Sequence, residues 1–200
     1  MGCSILDSSC SLLSLAIHPA SGSLDTSFGA GNGFVEYNSP GGGANGQDVG
    51  QGVAIDASGR IYVSGVTTNS VPDSDVFVCR LFDDGSLDTS FATAAVLPGC
   101  AILNTGVSDS TNGGIHVLAD GRVLVTGTAN GSMIAGMFRS DGGLDSSFGG
   151  TGIVTLTNGT STEGESVHVD STGKIYIVGR SNCPSPGCDW TVWKLNADGS

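Results

Sequence analysis

Short apolar stretches run the length of the chain, many of them alternating with polar positions, and clusters of Gly, Asn, Asp and Ser separate them. A period of two places every second side chain on one face, which is the signature of a strand. The clearest case lies towards the C-terminus, where strands are predicted near Ile153 to Thr157, Ser166 to Val169, Lys174 to Val178 and Trp190 to Leu195. Each is rich in β-branched or aromatic residues and bounded by turn formers. No segment keeps an apolar period of 3.6, so the pattern predicts essentially no helix.

The strands come in repeats. Gly22-Ser23-Leu24-Asp25-Thr26-Ser27-Phe28-Gly29 returns as Gly85-Ser86-Leu87-Asp88-Thr89-Ser90-Phe91, and again as Gly142-Gly143-Leu144-Asp145-Ser146-Ser147-Phe148-Gly149. Leu24 and Leu87 are 63 residues apart, and Leu87 and Leu144 are 57 apart. Asp198-Gly199-Ser200 opens a fourth copy. Midway through each unit lies a second phrase: Val53 to Gly65, Ile115 to Gly127 and Val167 to Gly179. It contains a tight hairpin in which Gly59, Gly121 and Gly173 supply the positive φ that a side chain resists.

Four short strands repeated every 50 to 60 residues predict an all-β chain of tandem four-stranded antiparallel blades, a partial β-propeller of about three blades plus one extra strand. A lone four-stranded sheet has two apolar faces and hides neither, whereas stacking hides both. The repeat divides the chain into residues 1–23, the last strand of a preceding blade, and blades at 24–86, 87–143 and 144–200. Leu13, Leu15 and Ile17 alternate like Val76 and Val78 or Trp190 and Val192 and represent that extra strand. Three blades and one strand should form an open arc with an exposed blade face at each end.

The recurring Leu-Asp-x-Ser-Phe residues read as structural, because a catalytic residue normally occurs once. Phe28, Phe91 and Phe148 are expected to plug the gaps between blades. Asp25, Asp88 and Asp145, with Ser27, Ser90 and Ser147, are expected to fold back on nearby backbone N–H groups and fix the turn from one blade to the next. Leu24, Leu87 and Leu144 complete the motif.

These two phrases together resemble the delta-60 repeat, a β-propeller repeat of unassigned function found in large, mostly bacterial proteins. The resemblance covers about Leu13 to Ser200. It implies the propeller fold and an extracytoplasmic location, and it transfers no catalytic residue. Two departures stand out: Ala92 occupies the place of Gly29 and Gly149, and Leu97 to Ala101 lacks the Gly-x-Gly lead-in, so the second blade is expected to begin irregularly.

Charge narrows the functions. The net charge is −12, and the seven Lys and Arg are scattered. No basic stripe exists to neutralise phosphates, which argues against nucleic acid and against anionic membranes. No apolar run approaches the 18 residues that signal a membrane helix. Met1-Gly2-Cys3-Ser4 lacks the Ser or Thr of a myristoylation signal at position 6, which is Leu6, and the first twenty residues contain no Lys or Arg to open a secretory signal.

Six cysteines remain. Cys183-Pro184-Ser185-Pro186-Gly187-Cys188 occupies a hairpin loop and reads as a disulfide, with a free thiol pair or a metal site as alternatives. Cys3 and Cys10 are a candidate second pair, while Cys79 and Cys100 give no pairing signal. His116 and His168 share a register where the first unit has Ala54. Two strand residues with hydrogen-bonded rings are the favoured reading, and a metal or proton-transfer pair is the alternative. No cofactor is expected. Calcium is the alternative, but Asp73 with Asp75, and Asp83-Asp84-Gly85, each fall short of a full ligand set. No catalytic triad order, nucleophile elbow or phosphate loop appears.

The sequence therefore favours a non-catalytic propeller segment of a secreted or cell-surface protein, a scaffold or binding surface. Its partners would be the remaining blades and a protein or glycan ligand. The alternative is part of a propeller lectin or enzyme whose site lies on the central or top-face loops, at Gly41 to Asp48, Thr67 to Asp75 and Ser181 to Asp189.

Overall fold

The computed structural model describes residues 22–42, 47–68, 73–183 and 187–200. The chain is all-β, with a single 3-10 turn among the described residues, at Gly29–Gly31. Its first sheet has the order β1 (Asp48–Ile55), β2 (Ile61–Thr68), β3 (Ser74–Leu81) and β4 (Cys100–Leu103). In the second sheet, β5 (Asp109–Ser110) and β6 (Ile115–Val117) lie along β7 (Val123–Ala129), followed by β8 (Ser132–Phe138) and β9 (Ile153–Leu156). The third contains β10 (Thr162–Val169), β11 (Ile175–Ser181) and β12 (Asp189–Leu195). All the pairings are antiparallel. These are partial propeller blades in tandem.

The sheets are out of phase with the sequence repeat. The strand after the second and third copies of Leu-Asp-x-Ser-Phe pairs back onto the strand before it, β4 on β3 and β9 on β8. The first sheet thus spans 48–103 and the second 109–156, where the repeat boundaries had suggested 24–86 and 87–143. Consequently the motif turns the chain from the third to the fourth strand of one sheet, and does not form the crossing from one blade to the next. Two backbone bridges, Leu81 with Leu87 and Phe138 with Leu144, hold this corner against the strand that precedes it. Leu13, Leu15 and Ile17 lie outside the described residues.

Two cores fill the gaps between sheets. Tyr62, Val76, Val78 and Leu103 of the first sheet meet Val125, Ile134 and Phe138 of the second. Leu124, Met133 and Met137, on the other face of the second sheet, meet Val167, Ile175 and Ile177 of the third. The central sheet is therefore dry on both faces, as burial requires of a stacked blade. Beyond it, the outer face of the first sheet carries Val53 and Ile55, each 66% exposed, and that of the third carries Trp190 at 81% and Val192 at 53%.

The innermost strands converge. A Cβ on Gly52 would stand 2.1 Å from the Gly113 carbonyl oxygen, and one on Gly164 would stand 2.0 Å from Thr126 Oγ1. Only glycine fits at either position. At the same level β1 and β10 carry bulges at Gln51 and Glu165, and the second sheet's first strand is interrupted between β5 and β6. Bulges of this kind bend the strand and re-aim the side chains beyond them.

Candidate functional site

The corners, the hairpin tips and the inner strands are the places where the chain concentrates polar chemistry. In each corner, the Asp accepts from the backbone N–H and hydroxyl of the Ser two residues on: Asp25 from Ser27, Asp88 from Ser90, and Asp145 from Ser147. These bonds favour the carboxylate and hold Asp25 and Asp145 below the ordinary carboxyl range. Asp88 is lowered as well, its bonds to Ser90 and Arg80 outweighing the desolvation that opposes them.

The aromatic of the motif depends on its neighbours. Phe91 is fully buried between the first and second sheets, and Phe148 between the second and third. Phe28 is only half-buried, and Leu24 is exposed. Leu87 and Leu144 pack at the margins of the cores.

Two further contacts recur. First, the residue after each motif Phe donates its N–H to the Asp of the next unit's Asp-Gly turn: Gly29 to Asp84 at 2.9 Å, Ala92 to Asp141 at 2.8 Å, and Gly149 to Asp198 at 2.8 Å. The glycine of that turn is required by packing as well as by its φ. A Cβ on Gly85 would lie 2.8 Å from the Phe28 ring, and one on Gly199 2.9 Å from the Phe148 ring. Ala92 takes the left-handed φ of 49° that glycine adopts in the other copies, so the corner keeps its shape despite the substitution. Second, the Arg after the first and second hairpin glycines reaches the corner Asp of its own sheet: Arg60 Nε lies 3.3 Å from Asp88, and Arg122 Nη1 lies 3.3 Å from Asp145. Lys174, in the third sheet, donates instead to Asn196 Oδ1.

Arg80 makes contacts that its equivalents do not. At its register the second sheet has Met137 and the third has Lys194, whose ammonium lies 5.1 Å from the centre of the Tyr176 ring. The buried Arg80 guanidinium donates to Asp88 Oδ2 at 2.8 Å, to the Ser140 carbonyl at 2.8 Å and to Ser90 Oγ at 3.0 Å, and it lies 4.8 Å from the centre of the Phe91 ring. A buried charge is tolerated when it is paired and its donors are satisfied. This group ties the first sheet's corner to the second sheet's turn.

Gly59, Gly121 and Gly173 occupy the hairpin tips with φ of 84°, 83° and 82°. Around two of these tips, an Asp gathers four donors: Asp56 from Ser58 N and Oγ, Arg60 N and Tyr62 Oη, and Asp170 from Thr172 N and Oγ1, Lys174 N and Tyr176 Oη. The bonds to Asp170 lower its pKa to about 2. Clefts of about 540 Å³ and 430 Å³ separate successive tips, the first lined by Asp56, Arg60 and Asp120, the second by His116, Asp120 and Asp170.

His116 and His168, on β6 and β10, are brought together with ring centres 5.2 Å apart and planes at 81°. Neither ring hydrogen-bonds to a described protein group, which corrects the expectation of hydrogen-bonded rings: the inner strands direct them at each other. Burial, and then the charge of His168, push His116 below the usual imidazole range.

Cys183 and Cys188 form a disulfide, and so do Cys79 and Cys100. The second pair lies directly opposite on β3 and β4, with Cα atoms 4.0 Å apart. Its legibility depends on the phase of the sheets, since only pairing across the corner sets these cysteines face to face. Cys3 and Cys10 lie outside the described residues. Of the acidic pairs considered for calcium, Asp84 is engaged by Ser86 in its own turn, Asp75 is buried, and the charge of Asp73 adds to burial in raising the pKa of Asp109. Among the described residues no group of three or more His, Cys, Asp or Glu is arranged to hold a metal ion, and no helix is long and apolar enough to cross a membrane. The candidate loops at Gly41 to Asp48, Thr67 to Asp75 and Ser181 to Asp189 fall partly outside the described residues.

A family model described as "Domain of unknown function (DUF5122) beta-propeller" matches residues 57–91. The match runs from the first hairpin tip to the motif Phe of the second copy, and agrees with the stacked sheets in placing the chain among β-propeller repeats. No curated protein matches the chain.

Proposed function

We propose that this chain is a delta-60-type propeller segment that serves as a non-catalytic scaffold or binding surface in an extracytoplasmic protein. The observation that carries the reading is the contrast between the faces of the sheets. The central sheet is dry on both sides, while Val53 and Ile55 on one outer face, and Trp190 and Val192 on the other, stand exposed. Exposed apolar surface on a blade face suits a further blade of the same kind. Two disulfides support an oxidising compartment. The polar side chains that recur in every unit are engaged in turns and corners, which supports structure over catalysis.

Small-angle scattering with light scattering on the purified chain tests this. An open arc, or an oligomer that pairs the outer faces, is expected; a closed compact monomer would overturn it. The lectin reading draws on the polar clefts between hairpin tips, and a glycan array decides it. Binding that is lost when Asp120, which borders both clefts, is replaced by Ala would favour the lectin over the scaffold.

A further inference from the structure

We propose that His116 and His168 form a two-histidine site for a divalent transition-metal ion, such as zinc, at the junction of the second and third sheets. The spacing fits. Two imidazoles on one tetrahedral zinc have ring centres about 5 Å apart, since each centre stands about 3.2 Å from the metal at a bond angle of about 109°. Here the centres are 5.2 Å apart before any metal is added. Residues on two neighbouring inner strands hold them so, with the strands locked by the close glycine contacts beside them.

Ligand chemistry agrees. Neither ring spends a nitrogen on a hydrogen bond to a described protein group, and metal binding requires the neutral imidazole. His168 is exposed and His116 half-buried, and His116 borders a cleft of about 430 Å³. The carboxylates of that cleft are otherwise engaged: Asp170 accepts four bonds, and Asp120 pairs with Arg122 Nε at 2.8 Å. The protein would thus supply two nitrogens and no oxygen, a donor set that selects zinc, nickel or copper over calcium and magnesium. The first sheet has Ala54 at this register, so the site belongs to one junction and not to the repeat as such.

Zinc titration of the full chain, followed by the imidazole 15N resonances, tests the site. The signals of His116 and His168 should move together and saturate at one zinc per chain, while magnesium and calcium leave them in place. His18 and the cysteines outside the described residues are separated by this readout, because it reports each ring by itself. His168→Ala, at an exposed position, should weaken the zinc response of His116 at least tenfold, and His116→Gln should do the same to His168. Circular dichroism of both variants establishes that the sheets are intact. The site is refuted if neither resonance moves at millimolar zinc, or if each responds unchanged when the other histidine is removed.

Discussion

The corner at 87–91 and the corner at 24–28 have nearly the same sequence and the same local geometry, yet they differ in what they do. Both close the Asp-to-Ser turn with the same pair of bonds, and both donate an N–H to the next unit's Asp-Gly turn. Only the first of them is sealed: Phe91 is fully buried and Asp88 is 2% exposed, whereas Phe28 is half-buried and Asp25 exposed. The turn is a property of five residues. The energy of the corner comes from the sheets on either side, as expected where stability is a sum of units and interfaces.

Truncating the aromatics probes that difference most strongly. Phe91→Ala and Phe148→Ala should each cost about 3–5 kcal/mol, since each empties a sealed core position. Phe28→Ala should cost about 1 kcal/mol or less, being half exposed. Urea titration followed by tryptophan fluorescence and circular dichroism would compare the three. Equal losses for Phe28 and Phe91 would mean that a further surface, such as a second copy of the chain, seals the first corner in solution.

Asp88→Ala comes close behind, at about 3–5 kcal/mol, because it strands the Arg80 guanidinium in a site closed to water. Asp145→Ala should lose about 1 kcal/mol, since Arg122 is free to turn to Asp120 and to solvent. The double variant Asp88→Ala with Arg80→Met restores part of the loss, Met being what the second unit carries at the equivalent position, Met137. Failure of the double variant to recover any stability would show that Arg80 matters through Ser140 and Ser90 and not through its charge.

The disulfides rank next. Replacing Cys79 and Cys100 by Ala should cost about 3 kcal/mol and replacing Cys183 and Cys188 about 2 kcal/mol, from the lengths of the loops they close. The first pair also pins β4 to β3, so its loss should raise hydrogen exchange in β4, whereas loss of the second should be confined to the loop between β11 and β12.

The reach of sequence reasoning here is set by the nature of a repeat. Strand type was legible because alternation is local, and the period was legible because two phrases stay in step. The phase was not. A cyclic shift of any repeat has the same period, so nothing in Leu87 to Phe91 says whether the corner joins two sheets or closes one; the pairing of Cys79 with Cys100 settles it through hydrogen bonds between distant residues. The same loss of phase hid the cysteine pair. Arg60 and Arg122 recur beside the hairpin glycine as faithfully as the corner Asp they reach, but that contact emerges only when hairpin and corner are assigned to one sheet. The guanidinium of Arg80 occurs at its register in one sheet only, and repetition is silent about single residues. His116 and His168 met because equal register in neighbouring units becomes adjacency once the units stack.

Acid should separate the turns from the cores. Asp25, Asp56, Asp84, Asp88, Asp141, Asp145, Asp170 and Asp198 all have pKa values below the ordinary 3.8, with Asp170 at about 2. A carboxyl whose folded pKa is depressed contributes stability that is complete above its unfolded value and is lost as pH falls through the folded one. The chain should therefore hold its stability down to about pH 4 and lose it in small increments between about pH 4 and 2. Asp109, raised by burial, has the opposite sign and softens the upper end of that decline. Most of these turns are exposed, so each increment is smaller than any core truncation. Replacing Asp170 by Asn should lower stability at pH 7 and leave it nearly unchanged at pH 2, where the wild-type carboxyl has already begun to protonate. Carboxyl 13C shifts of Asp170 and Asp25 followed from pH 6 to pH 1.5 would locate the midpoints. If Asp170 titrates near 3.8, its ring of four donors is open in solution, and the tip of that hairpin is looser than the tip at Asp56.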